Sequence, residues 1–177
     1  GAPKLTKFEL VTYSSEENLK SALVGGEISG SPSVNLRDFD NSKKSALDER
    51  QMLVNRGVYA FFNTSTGVFK DKSIRQAVQK GVDISKILSK MYAVENLNFP
   101  VLREDLNIEK LEKPTINIEE ARKKLDEAGW ILNGKTRMKD GQKLRINLVS
   151  TNEKNLENAT RELKNQLENL GFEVEIT

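Results

Sequence analysis

Asn63-Thr64-Ser65 is a polar corner that directly follows an apolar, aromatic run, Val58-Tyr59-Ala60-Phe61-Phe62. Amide and hydroxyl groups at such a corner can grip a neutral polar ligand, or can satisfy the turn's own backbone. On the residues alone both readings stand. Asp38 and Asp40 form a DxD-like pair that invites a cation. Hard-cation sites need several more oxygen ligands at defined spacing, so a solvated loop accounts for the pair. The chain has no Cys and no His. That excludes a Cys or Ser nucleophile activated by His, and any thiolate or imidazole metal ligand. Composition leaves a Ser–Lys or paired-carboxylate site open, although no carboxylates stand in a recognisable glycosidase pair. No G-x-x-x-x-G-K-[ST] phosphate loop occurs. No catalytic residue, cofactor site or metal site is therefore assigned, and the chain is read as a non-enzyme. Two sequons, at Asn63 and Asn158, are read as chance, the second because Ala159 falls on a buried helix stripe.

The elements that must position the corner follow from periodicity. Val58–Phe62 predicts a buried strand, being short, aromatic and bounded by turn residues. Asp71 is placed as the N-cap of the next helix, whose apolar face is Ile74, Ala77, Val78 and Val82. Gly81 interrupts that pattern. Asp83 is a second N-cap, before a short helix with Ile84, Ile87, Leu88 and Met91. Arg75 is close enough in sequence to reach the polar corner, but a helix-surface ion pair is its expected fate.

Upstream, Lys4–Tyr13 alternates and predicts a half-exposed strand. Ser14 or Ser15 caps a helix that runs to Val24 and stops at Gly25-Gly26. Glu27–Ser33 predicts a short strand. Asn35–Asn55 reads as an exposed loop with a helical turn near Asp48–Leu53. Downstream, Leu97–Lys113 is irregular, with Pro100 forcing Phe99 to be extended. Thr115–Ala128 predicts a helix capped by Asn117, with Glu119 and Glu120 in its positive first turn and Ile118, Ala121, Leu125 and Ala128 as its stripe. Trp130 reads as a packing anchor over the helix end. Asn133-Gly134 and Asp140-Gly141 predict tight hairpin turns. Leu144, Ile146 and Leu148 alternate as a strand. Asn155–Leu170 is a helix stopped by Gly171, and Phe172, Val174 and Ile176 form a last strand. Alternating strands and helices give an α/β class with a mixed sheet and one structural domain.

The 177 residues carry 31% charged and 37% apolar side chains, an ordinary globular balance. A net charge of +2 is too small to argue for nucleic acid. No apolar run approaches the roughly 20 residues of a bilayer span. The 177 residues contain no signal-peptide pattern, and an exported protein is expected to carry its signal ahead of them.

FFNTSTGVFKDKSIRQAVQKGVDISKIL resembles the segment "FN…PF.D..VR.A…A.D…I" of the family 5 extracellular solute-binding proteins. SALVGGEIS resembles the family's "A…L..GEID", with Ser29 where the family has Asp. IEEARKKLDEAGW and LENLGFEVE resemble "A..LL.EAGW" and "L…LG..VE". The resemblance extends from Lys4 to Ile176. It implies a periplasmic-binding-protein-like (type II) lobe, with a mixed β-sheet flanked by helices. Residues 1–177 would be a single domain, a partial C-terminal lobe of a two-lobe receptor, ending before the segment that makes much of the family's ligand contact. The implied function is the substrate-binding component of an ABC transporter, capturing oligopeptides. The alternative is a sensor or interaction module that reuses the fold. Implied partners are a small solute and the ABC permease subunits, without cofactor, nucleic acid or membrane insertion by this chain. The implied location is extracytoplasmic. On this reading Asn63, Thr64 and Ser65 form the cleft rim, at the end of a central strand where open α/β sheets place ligands.

Overall fold

The computed structural model describes residues 4–32, 34, 39–40, 43, 47–50, 57–91, 96 and 114–177. The chain divides into two compact units, Gly1–Val54 and Asn55–Thr177.

In the first unit a helix, α1 (Glu16–Val24), begins where Ser15 accepts a hydrogen bond from the Asn18 backbone N–H at 3.2 Å. Ser15 rather than Ser14 is the cap, and Ala22 is the helix's buried residue. The expected strand at Lys4–Tyr13 does not form: the segment has no strand pairing, and Phe8 is 80% exposed. The described part of Glu27–Ser33 is likewise no strand. Of the predicted turn near Asp48–Leu53, residues 48–50 are not helical and the rest lies outside the described residues. So do Asp38 and the Phe99-Pro100 step.

The second unit is built from the helix signals. After a 3-10 turn, Val68–Lys70, α2 (Lys72–Gly81) starts at Asp71, whose carboxylate accepts from Ser73 N–H at 2.8 Å. Its face of Ile74, Ala77 and Val78 is buried, as the spacing predicts. Gly81 does not break this helix but is its last residue. It is where α2 meets its neighbours most closely: a Cβ there would lie 2.5 Å from Leu170 Cδ1 and 3.1 Å from Ala121 Cβ. Asp83 caps the short α3 (Ile84–Leu88). Asn117 caps α4 (Ile118–Glu127), accepting from Glu120 N–H at 2.9 Å. Ala121 and Leu125 of α4 pack on α2, while Ile118, expected on the same stripe, is exposed.

Two reversals follow. β1 (Ile131–Asn133) and β2 (Thr136–Lys139) pair antiparallel with Asn133 opposite Thr136. Only Gly134 of the two turn residues has positive φ, as a type II′ turn requires. β3 (Gln142–Lys143) returns through Asp140 and Gly141, both at positive φ, as in type I′. β4 (Arg145–Leu148), α5 (Lys154–Asn169) and β5 (Glu173–Ile176) then make a parallel pair with a helical crossover. Parallel strands need such a crossover.

Among the described residues the strands lie in two small sheets, one antiparallel and one parallel, rather than one central sheet. Three main-chain bonds connect them: Leu144 N–H to Arg137 O (2.8 Å), Arg137 N–H to Gly171 O (2.7 Å) and Glu173 N–H to Leu144 O (2.8 Å). The pairing is thus mixed, and the class is α/β as expected. Leu125, Trp130, Leu144, Leu167 and Phe172 fill the core between helices and strands. Trp130 is the anchor its position predicts.

The expectation that fails in this unit is the strand at Val58–Phe62. Those residues run without a strand partner among the described residues, and Phe61 is 90% exposed. Apolar residues favour a strand, but only a neighbour's hydrogen bonds make one. Phe62 alone is tied down, its ring 4.6 Å from that of Phe69, which packs on the core.

Candidate functional site

The polar corner sits between that exposed run and the 3-10 turn. Asn63, Thr64 and Ser65 are all exposed. Asn63 Oδ1 accepts a hydrogen bond from Ser65 N–H at 3.0 Å, an Asx turn that settles part of the corner's own backbone. What the corner can offer is neutral: an amide and two hydroxyls, suited to backbone-like polar groups and not to ions. Among the described residues Arg75 does not join it and makes no helix-surface ion pair. Its Nη1 donates to the carbonyls of Phe69 (2.5 Å) and Lys70 (3.0 Å), bracing the turn that leads into α2.

A second site is visible only in three dimensions. The carboxyl ends of β4 and β5 open at Val149, Ser150 and Thr177, beside the first turn of α5. Ligands of open α/β sheets bind outside such ends. Ser150 N–H donates to Thr177 O (3.0 Å), Thr177 N–H donates to Leu148 O (2.8 Å), and Thr177 Oγ1 pairs with Asn147 Oδ1 at 2.9 Å. Val149 is exposed beside them. Glu153 caps α5 with both carboxylate oxygens, which accept from Asn155 N–H (3.1 Å) and Leu156 N–H (3.0 Å). Its charge occupies the place an anionic ligand would take at a helix start. Beside that carboxylate, the Ser150 and Thr177 side chains are neutral. The sequence held its signal, a strand ending near Val149 and a helix starting near Asn155. The end-of-strand rule fits these strands and not Val58–Phe62, which pairs with no strand among the described residues.

Behind the mouth, Arg145 and Glu173 face each other across the parallel pair, with Lys143 alongside. Lys143 Nζ lies 3.0 Å and Arg145 Nη2 2.8 Å from the carboxylate. The Lys143 ammonium has the largest influence, and together with Arg145 it holds the Glu173 carboxyl below its ordinary value, outweighing the opposing effect of burial. This is a latch between strands. Among the described residues no three Asp or Glu side chains converge as a metal site.

The whole chain, residues 1–177, matches the family model described as "Bacterial extracellular solute-binding proteins, family 5 Middle". The chain belongs to this family. Solved structures agree. AppA, the oligopeptide-binding protein of Bacillus subtilis in complex with a nonapeptide, is 28% identical over 66% of this chain and 25% of its own, with a TM-score of 0.59. NikA from Brucella suis with Fe(III)-EDTA is 24% identical over 65% of this chain and 24% of its own, and NikZ from Campylobacter jejuni with Ni(L-His) is 21% identical over 66% and 24%, both with TM-scores of 0.59. The last two share the fold. The chain spans about a quarter of the length of the structures it matches. Comparison with curated protein sequences gives no match. The fold is therefore the periplasmic-binding-protein-like type II kind. The family is extracellular and binds solutes rather than transforming them. Among the described residues no helix is long and apolar enough to cross a membrane.

Proposed function

We propose that residues 1–177 are a partial C-terminal lobe of a two-lobe receptor that captures oligopeptides extracytoplasmically and hands them to an ABC permease. The observation that carries this reading is the 28% identity to the nonapeptide-bound AppA, within a family match over the whole chain. The chemistry of the two openings supports it. Asn63, Thr64 and Ser65 at the corner, and Ser150 and Thr177 at the strand ends, offer an amide and hydroxyls that carry no charge. Those groups suit peptide backbone, which is neutral and rich in donors and acceptors. Capture would follow hinge closure of two lobes over the ligand.

The test is calorimetry on the protein that carries this chain, titrated with a mixed peptide library, Ni(L-His) and Fe(III)-EDTA in turn. Saturable heat from peptides alone supports the reading. Saturation by a metal chelate with silence from peptides overturns the choice of solute. Asn63→Ala and Ser150→Ala tests the two rims separately, each expected to weaken peptide binding by about 0.5–1.5 kcal/mol, the worth of a typical hydrogen bond.

A further inference from the structure

We propose that Asn133 is a site of spontaneous, turn-directed modification: its side-chain amide converts to aspartate and isoaspartate through a succinimide with Gly134. Asn133-Gly134 is the one Asn-Gly step in the chain. It stands at the tip of the β1–β2 hairpin, where both residues are exposed. Gly134 lies at φ 63°, and a Cβ built on it would meet no heavy atom within 4 Å. As the first central residue of a two-residue turn, Gly134 does not belong to the paired ladder, whose closing pair is Asn133 and Thr136. The Asn133 side chain is held only lightly, its Nδ2 donating to Met138 Sδ at 3.5 Å, and thioether sulfur is a weak acceptor. Asparagine is among the thermolabile residues, and reaction with the next nitrogen is intramolecular, so proximity favours it.

The Gly134 nitrogen attacks the side-chain carbonyl carbon of Asn133. That carbon–nitrogen bond forms, the bond to Nδ2 breaks, and the amide leaves as ammonia with the Gly134 proton. Water opens the ring at either carbonyl, giving aspartate or isoaspartate. No oxidant, reductant or enzyme enters the balance. Isoaspartate places an extra carbon in the main chain at the residue paired with Thr136, and both products add a negative charge at the hairpin tip.

The experiment is incubation of the intact chain at mildly alkaline pH, followed by peptide mapping with isoaspartyl methyltransferase labelling. A free peptide spanning Trp130–Lys139 runs in parallel. Conversion of Asn133 within about tenfold of the free-peptide rate, ahead of every other Asn, is expected. Conversion slower than that, or equal conversion at other Asn positions, overturns the proposal, because the folded turn then protects its amide. Asn133→Gln, exposed and so tolerated by the fold, removes the labelled product. If the label persists in Asn133→Gln, the site lies elsewhere and the proposal fails.

Discussion

Arg137→Met removes a guanidinium while keeping most of the stem's volume. Arg137 is 3% exposed, and its three hydrogen bonds meet groups far apart in sequence. Nε donates to Leu170 O at 2.8 Å, and Nη1 to Trp130 O at 2.6 Å and Asp126 Oδ1 at 2.5 Å. One side chain thus fastens the end of α4, the Trp130 anchor and the end of α5. Three effects compete in the variant. Asp126 loses its partner, but its side chain is 52% exposed, so water takes over and the loss is small. Removing a buried charge relieves a desolvation cost, which favours the variant. Against this, two buried carbonyls lose their donor, at about 1–3 kcal/mol each. The carbonyl term wins, and a net loss of about 2–4 kcal/mol is expected. Urea denaturation followed by Trp130 fluorescence reads it as a lower midpoint at unchanged slope. A variant within about 0.5 kcal/mol of the parent, the scale of an ordinary surface substitution, refutes the keystone role.

Gly81→Ala gains roughly 1 kcal/mol of helix propensity but forces a methyl against Leu170 and Ala121, a strain of about 1–3 kcal/mol. The same denaturation should show a net loss, and a stabilised variant would mean that the helices can part. Gln166 holds both backbone groups of Asp83, accepting from its N–H at 2.7 Å and donating to its carbonyl at 3.2 Å. Gln166→Leu should therefore cost about 1–3 kcal/mol, and a neutral result would show that water replaces both bonds. Glu173 is the pH-sensitive group. Its folded pKa is lowered from 4.5, so its contribution is complete above that value and fades as pH falls through the lower folded one. The difference in urea midpoint between parent and Glu173→Gln should be present at pH 7 and vanish in acid. A gap that persists in acid would locate the effect outside this carboxylate.

Local signals were readable where the physics is local. Asp71, Asp83 and Asn117 cap because a short oxygen-bearing side chain reaches its own helix's free N–H groups, and Ser15 follows the same rule. The two turns were legible because Gly tolerates positive φ. The strands assigned to Lys4–Tyr13 and Val58–Phe62 failed because alternation and apolarity describe a side chain's preference, while a strand also needs a neighbour. Arg137 and Gln166 were passed over for a related reason. Each looks like surface in its own segment, yet it donates to a backbone carbonyl thirty-three or eighty-three positions away. The polar corner was found by its residue types; the β4–β5 mouth required knowing that those two strands lie side by side.

Leu144, Arg137 and Gly171 stitch the hairpins to the crossover through consecutive main-chain bonds. Deuterium should enter those amides last, since releasing one means unzipping its neighbours and baring Phe172 beneath. Residues 131–177 are therefore expected to open to solvent as one cooperative unit. Loss of protection strand by strand, with β1–β3 exchanging well before β4 and β5, would show that the stitching does not couple them.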